Sequence, residues 1–240
     1  LPLYAQDEAG YDNLCHLVSK AHLERPLEFE PHVAMADLEG HTDGLLALTG
    51  ASEGAVTRLL AEGQQSHAEA ALDRLQALFP DRVYIELARR GNEVEQRAEE
   101  ALVDLAYARD LPLIATNPAN YAEPHMHKAH DAMLCIAGST HIDAEERARS
   151  NPESYVKTYH MMDEAFADLP EAVENTIVLA QRCAYAPPYR DPILPSLAGD
   201  LEGEARELAI EHATLARAHG PGLILSGGEV TVTLGDSRGK

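Results

Sequence analysis

The sequence predicts an α/β fold: a partial (β/α) barrel followed by a helical segment and a short helix-plus-hairpin tail. Three observations predict it. Short apolar runs of strand length alternate with amphipathic stretches of helix length, the order expected of parallel strands with covering helices. Within residues 93–109, Ala98, Ala101, Leu102, Leu105 and Ala106 recur at helical spacing and share one face. After residue 117 the strand-like runs give way to helical patterns.

Taken in order, residues 11–23 read as a first helix and Gly44-Leu45-Leu46-Ala47-Leu48 as a strand. Helices over 54–62 and 67–78 follow, and Phe79-Pro80-Asp81 turns the chain into the strand Val83-Tyr84-Ile85-Glu86-Leu87. The helix 93–109 leads to the strand Leu111-Pro112-Leu113-Ile114-Ala115. Glu123-Pro124 opens a further helix, with proline suited to its first turn, and Met126, His130, Met133, Leu134 and Ala137 share a face expected to be buried. A polar loop spans 141–151, and helices near 160–167 and 171–183 follow it. The Pro187-Pro188 and Asp191-Pro192-Ile193-Leu194-Pro195 runs read as an extended connector. Beyond it come a helix over 202–218 and a hairpin around Ser226-Gly227-Gly228. The expected domains are a partial barrel over 1–137, a helical extension and connector over 138–198, and a separate tail over 201–240.

The 45% share of hydrophobic residues supplies a core, and no apolar run reaches the roughly 20 residues of a membrane-spanning helix. Leu1-Pro2-Leu3-Tyr4 lacks both an initiator methionine and the basic-then-apolar pattern of a signal peptide, and reads as a cut inside a longer protein. A net charge of −21 without a basic stripe argues against direct binding to duplex DNA. Cys15, Cys135 and Cys183, without CxxC spacing, point to a reducing cytoplasm and to buried thiols.

Several segments carry a family resemblance. Gln6-Asp7-Glu8-Ala9-Gly10-Tyr11-Asp12-Asn13-Leu14, Gly44-Leu45-Leu46-Ala47-Leu48-Thr49-Gly50, Tyr84-Ile85-Glu86-Leu87 with Arg90-Gly91, and Leu113-Ile114-Ala115-Thr116-Asn117 follow in order. Ala129-His130-Asp131-Ala132-Met133-Leu134-Cys135-Ile136, Phe166-Ala167-Asp168-Leu169-Pro170-Glu171-Ala172 with Asn175-Thr176, and Ala180-Gln181-Arg182-Cys183 continue the series. Pro192-Ile193-Leu194-Pro195 resembles the exit toward a polymerase. Together, residues 1–198 resemble the back part of the PHP domain of the bacterial DNA polymerase III alpha-subunit family.

The resemblance implies a distorted (β/α) barrel attached to a DNA-directed DNA polymerase, a nucleotidyltransferase of DNA replication. Its Mg-dependent chemistry would use aspartates outside this chain. It also implies a surface for a proofreading exonuclease subunit. In active members of the family a His/Asp/Glu metal cluster cleaves phosphodiesters. Here Arg90 stands where the active form has histidine, and Pro118 and Asn120 stand where it has Asp and His. Proline has no donor, and asparagine replaces imidazole poorly at a transition metal. The implied site is therefore degenerate, with no catalytic residue and no cofactor in the fragment. The alternative is a metal-dependent PHP phosphoesterase or 3'-5' exonuclease that binds Zn or Mn.

For that alternative the candidate ligands are His125, His127 and His130 beside Asp131. On a helix, 125 and 127 point about 200° apart, so at most two or three donors share a side. His130 also suits a hydrogen-bonded core position, and His127 with Asp131 an i, i+4 surface pair. Asp7-Glu8, Glu99-Glu100 and Glu145-Glu146 are adjacent carboxylates whose side chains diverge, as on a solvated face. Glu86 lies on a strand that lines the barrel, facing either the former metal site or the rim.

The tail has its own resemblance. Leu201-Glu202-Gly203-Glu204-Ala205-Arg206-Glu207, then Gly222-Leu223-Ile224-Leu225-Ser226-Gly227-Gly228-Glu229-Val230-Thr231-Val232-Thr233, is similar to a piece of bacterial glycerate kinase. This implies a foreign junction near Asp200. Ser226-Gly227-Gly228 lacks the lysine and following helix of a P-loop and reads as a tight turn.

Overall fold

A computed structural model describes residues 1–24, 28–189, 203–219 and 230–231. The chain forms two compact units, Leu1–Pro187 and Pro188–Lys240.

The first unit is built on a four-stranded sheet of β1 (Leu3–Ala5), β2 (Leu45–Leu48), β3 (Val83–Leu87) and β4 (Leu113–Ala115), in that spatial order. β1 is antiparallel to β2, while β2, β3 and β4 run parallel. The helices are α1 (Glu8–Leu23), α2 (Ala55–Ala61), α3 (Gln65–Leu78), α4 (Glu93–Ala108), α5 (His127–Ala137), α6 (Tyr159–Ala165) and α7 (Pro170–Arg182). The α/β fold read from the sequence is the fold observed, consistent with a partial PHP-type (β/α) arrangement. The sequence did not signal β1, because three residues are too few to establish a period.

Every residue of β2, β3 and β4 is buried, as expected of parallel strands covered on both faces. Leu45, Ala47, Val83, Ile85, Leu87, Leu113 and Ala115 point into the larger core, with Leu72, Phe79, Leu102 and Phe166. Leu46, Leu48, Tyr84 and Ile114 form a second cluster on the other face, against Leu179 and Cys183.

Local chemistry fixes the helix ends. α1 starts before the apolar pattern does because Asp7 Oδ1 accepts the Gly10 N–H at 2.9 Å. Asn92 caps α4 by accepting from the Val94 N–H, and Pro170 occupies the first turn of α7. A Cβ on Gly10 would lie 2.0 Å from the Gly44 oxygen, so α1 rests directly on the turn that enters β2. Asn175 Nδ2 donates to the Leu113 carbonyl at 2.8 Å, which docks α7 on the edge strand β4.

Two expectations meet a different structure. Met126, Met133 and Ala137 are exposed and Leu134 and His130 half-buried. Cys135 is the buried residue of α5, because the polar side of the helix is the one drawn inward. Cys15 is exposed rather than buried, while Cys135 is buried and Cys183 half-buried, and all three are free. Phe166, Leu169, Ala172 and Val173, from α7 and the turn before it, enter the core beneath the sheet.

In the second unit, β5 (Gly203–Glu204) pairs in parallel with β6 (Val230–Thr231), and α8 (Ala205–His219) follows β5. The helix read over 202–218 corresponds to α8. The hairpin turn at 226–228 and the connector over 190–198 lie outside the described residues.

Candidate functional site at the carboxyl ends of the strands

In open α/β sheets, ligands bind beyond the carboxyl ends of the strands. Here those ends bring Thr49, Gly50, Glu86 and Thr116 together. Glu86 is buried, accepting the Gly50 N–H at 3.0 Å and the Thr116 hydroxyl at 2.7 Å. The Glu86 N–H in turn donates to Thr49 Oγ1 at 2.9 Å. Gly50 has φ +96°, which favours glycine and turns its N–H toward the carboxylate. Glu86 therefore faces inward rather than ending on the rim. Burial, and then the charge of Glu86, push the Tyr4 phenol up.

Arg90 follows β3 and is committed elsewhere. Its Nε lies 3.0 Å and its Nη2 2.5 Å from Glu95 Oε1, and Nη2 also reaches Ser52 Oγ at 3.0 Å. The backbone N–H of Arg90 donates to Glu95 Oε2 at 3.1 Å. Both side chains are largely buried, 13% and 4% exposed. Pro118 is half-buried and Asn120 exposed. The Asn120 N–H donates to the Ser154 carbonyl at 2.8 Å.

The histidines do not converge. His125 is exposed beside Glu123 at 3.0 Å. His127 Nε2 lies 3.1 Å from the Ser150 carbonyl and His130 Nδ1 2.8 Å from Ser150 Oγ. Both rings flank Tyr121. Asp131 does not pair with His127. It takes a bidentate bond from Arg147 at 2.8 and 2.7 Å and the Ser150 N–H at 2.9 Å. The Arg147 guanidinium, with the Ser150 N–H second, holds the Asp131 carboxyl well below the usual carboxylate range. The result is a fastening of the 141–151 loop to α5. Asn151 extends it to the segment after β3, donating to the Arg90 carbonyl at 3.2 Å and accepting from the Tyr121 hydroxyl at 2.7 Å.

Among the described residues, no three His, Cys, Asp or Glu side chains are grouped to hold a metal ion. A metal cluster does not fit the donors present at the strand ends: Glu86 is satisfied by an amide and a hydroxyl, and Arg90, four residues on, is a guanidinium paired with Glu95.

Sequence reading missed Arg89. Its guanidinium bonds Glu99 at 2.5 Å, Asp168 at 2.6 Å and the Ala165 carbonyl at 2.6 Å, and it stacks 4.6 Å from the Phe166 ring centroid. Bonding to Asp168, then to Glu99, raises its pKa. The Arg89-Arg90 pair was the available signal, since two adjacent arginines at a strand end need two separate sets of acceptors.

Residues 1–90 match the PHP domain. Over 230 residues, 95% of the chain, it is 43% identical to DNA polymerase III subunit alpha of Caulobacter vibrioides, of which it covers 20%. Its relatives are DNA polymerase III alpha subunits. The one from Rickettsia bellii is 36% identical over 196 residues, 82% of the chain and 17% of that protein. The one from Vibrio cholerae is 34% identical over 184 residues, 76% of the chain and 16% of that protein. The chain thus spans about a fifth of the length of the curated relatives it matches. The Caulobacter alignment leaves 5% of the chain uncovered, fewer residues than the forty of 201–240. It therefore runs through the junction expected near residue 200 and into the tail. None of the described helices is long and apolar enough to cross a membrane.

Proposed function

We propose that the chain is the PHP-domain part of a bacterial replicative DNA polymerase alpha subunit and acts as a scaffold. The rest of the subunit would carry out Mg-dependent DNA synthesis, and the PHP part would present a surface to a separate proofreading exonuclease. Its own hydrolytic site is degenerate at Arg90, Pro118 and Asn120. The observation that carries this reading is the buried Arg90–Glu95 pair at the end of β3. It puts a cation into the fold where a phosphoesterase would place a metal ligand. The net charge of −21 supports leaving duplex DNA contacts to other parts of the subunit. Residues 1–137 would be the barrel part and 138–198 the extension and connector.

Zinc or manganese loading, extensive dialysis and metal analysis test the degenerate site. The expected content is below roughly a tenth of an ion per chain. One or more retained ions, lost on replacing His127 and His130, would instead establish the metal-dependent phosphoesterase. Primer extension by the full-length subunit tests the polymerase assignment separately. A glycerate-kinase origin of 201–240 is the alternative for the tail. The reach of the Caulobacter alignment past residue 200 favours the polymerase reading over it, and thermal stabilisation by glycerate would reverse that preference.

A further inference from the structure

Between α2 and α4, behind the two arginines that follow β3, lies a small polar cavity. Thr57 of α2 and Glu95 and Glu99 of α4 line it, with Ala51, Leu87 and Leu102 as apolar walls, and its volume is about 10 Å³. Glu86 also borders it, but its carboxylate is taken by the Gly50 N–H and the Thr116 hydroxyl. Thr57 is 1% exposed, and its Oγ1 has no hydrogen-bond partner among the described residues. A threonine inside a helix can satisfy its hydroxyl on the carbonyl four residues back; Thr57 does not. A buried hydroxyl without a partner is costly, so this one points to a ligand in the cavity.

The acceptors that such a ligand would meet are one turn apart. Glu95 and Glu99 stand at i and i+4 on α4 and share a side of it. A carboxylate accepts about four hydrogen bonds. Glu95 Oε1 takes Nε and Nη2 of Arg90, and its Oε2 takes the Arg90 N–H alone. Glu99 Oε1 takes Nε and Nη2 of Arg89, and its Oε2 shares the same Nε. The Oε2 atom of each residue therefore keeps room for another donor.

We propose that the cavity is a binding site for one structural water. Its oxygen accepts from the Thr57 hydroxyl and its two hydrogens go to the Glu95 and Glu99 carboxylates, which pairs the orphan hydroxyl and uses the spare acceptors. Size fits this occupant, since a single water needs about 10–15 Å³. Charge selects it over a monovalent cation. Arg90 already neutralises Glu95, and Arg89 neutralises Glu99; Asp168, the second partner of Arg89, is 64% exposed and solvated. A cation here would be a buried charge without a counter-charge. The water ties α2 to the two carboxylates that hold Arg89 and Arg90, so it positions α4 against the end of β3. The site stands on these contacts alone and is independent of the polymerase assignment.

The test is a crystal structure of the full-length subunit that shows ordered water, grown in sodium and repeated with rubidium chloride. The expected result is one density peak within hydrogen-bond distance of Thr57 Oγ1 and of both carboxylates, without anomalous signal in rubidium. Thr57→Val keeps the shape and removes the hydroxyl, and should lose the peak; Thr57→Ser keeps the hydroxyl and should retain it. No peak beside Thr57 overturns the proposal. So does an anomalous rubidium peak, which would make the site a cation site. A peak that persists unchanged in Thr57→Val also overturns it, because the hydroxyl would then not be what holds the water. Should Thr57→Val fail to fold, the native and rubidium maps still decide the question.

Discussion

The sheet with its helices, residues 1–115, and the stretch from 117 to 187 are held together differently. In the first, apolar residues at alternate strand positions fill a core on each face of the sheet, and α1 touches the chain backbone to backbone at Gly10 and Gly44. In the second, α7 shares that core, but α5 and the 141–151 loop are secured by Arg147, Asp131, Ser150 and two histidines. Arg89 bridges the regions from the end of β3 to Ala165 and Asp168. Apolar burial fixes which elements exist and how they stack. Polar fastening fixes which way a helix already formed is turned.

The largest expected effect lies in the first region. Replacing Phe79, fully buried beneath the sheet, with alanine should cost about 3–5 kcal/mol, read as a lower urea midpoint. Arg90→Met should cost about 3 kcal/mol or more, because it strands the Glu95 carboxylate. Adding Glu95→Met should recover most of the loss. If the double variant is no better than the single, Arg90 matters for more than its pairing.

Smaller effects probe the join and the second region. Arg89→Ala should cost about 2 kcal/mol and speed hydrogen exchange in α6 and the start of α7 before that of the sheet. Equal loosening of both would mean the bridge is not what separates them. Arg147→Ala should raise exchange across 141–151 and leave the global midpoint nearly unchanged. The smallest effect is in the acid range. The Asp131 carboxyl is depressed in the folded state, chiefly by Arg147. Its contribution is present above the unfolded pKa of about 3.9 and is lost as pH falls through the lower folded value. Asp131→Asn should flatten the pH dependence of stability below about pH 4, measured by denaturation at stepped pH.

Much of the first region was legible in sequence. The runs at 44–48, 83–87 and 111–115 contain β2, β3 and β4, and the face of Ala98, Leu102, Leu105 and Ala106 is buried as its spacing requires. Asn175 was visible only as part of a family-like segment; its bond to the Leu113 carbonyl gives that position a physical reason. The site was less legible. Arg90, Pro118 and Asn120 could be named, but nothing in the spacing revealed Glu95 as the partner of Arg90 or Thr116 as a partner of Glu86.

By itself the sequence determined the α/β class, the order of β2, β3 and β4 with the helices between them, and the apolar face of α4, because periodicity is a local property of a chain. Only the tertiary structure decided that Glu86 faces inward to an amide and a hydroxyl, that the histidines meet Ser150, and that α5 shows its apolar stripe outward. Each of those depends on partners 16 or more residues away, Glu86 with Gly50 at 36 and Thr116 at 30, His130 with Ser150 at 20 and Asp131 with Arg147 at 16. The pattern of a single helix cannot say which of its two sides a distant arginine will pull inward.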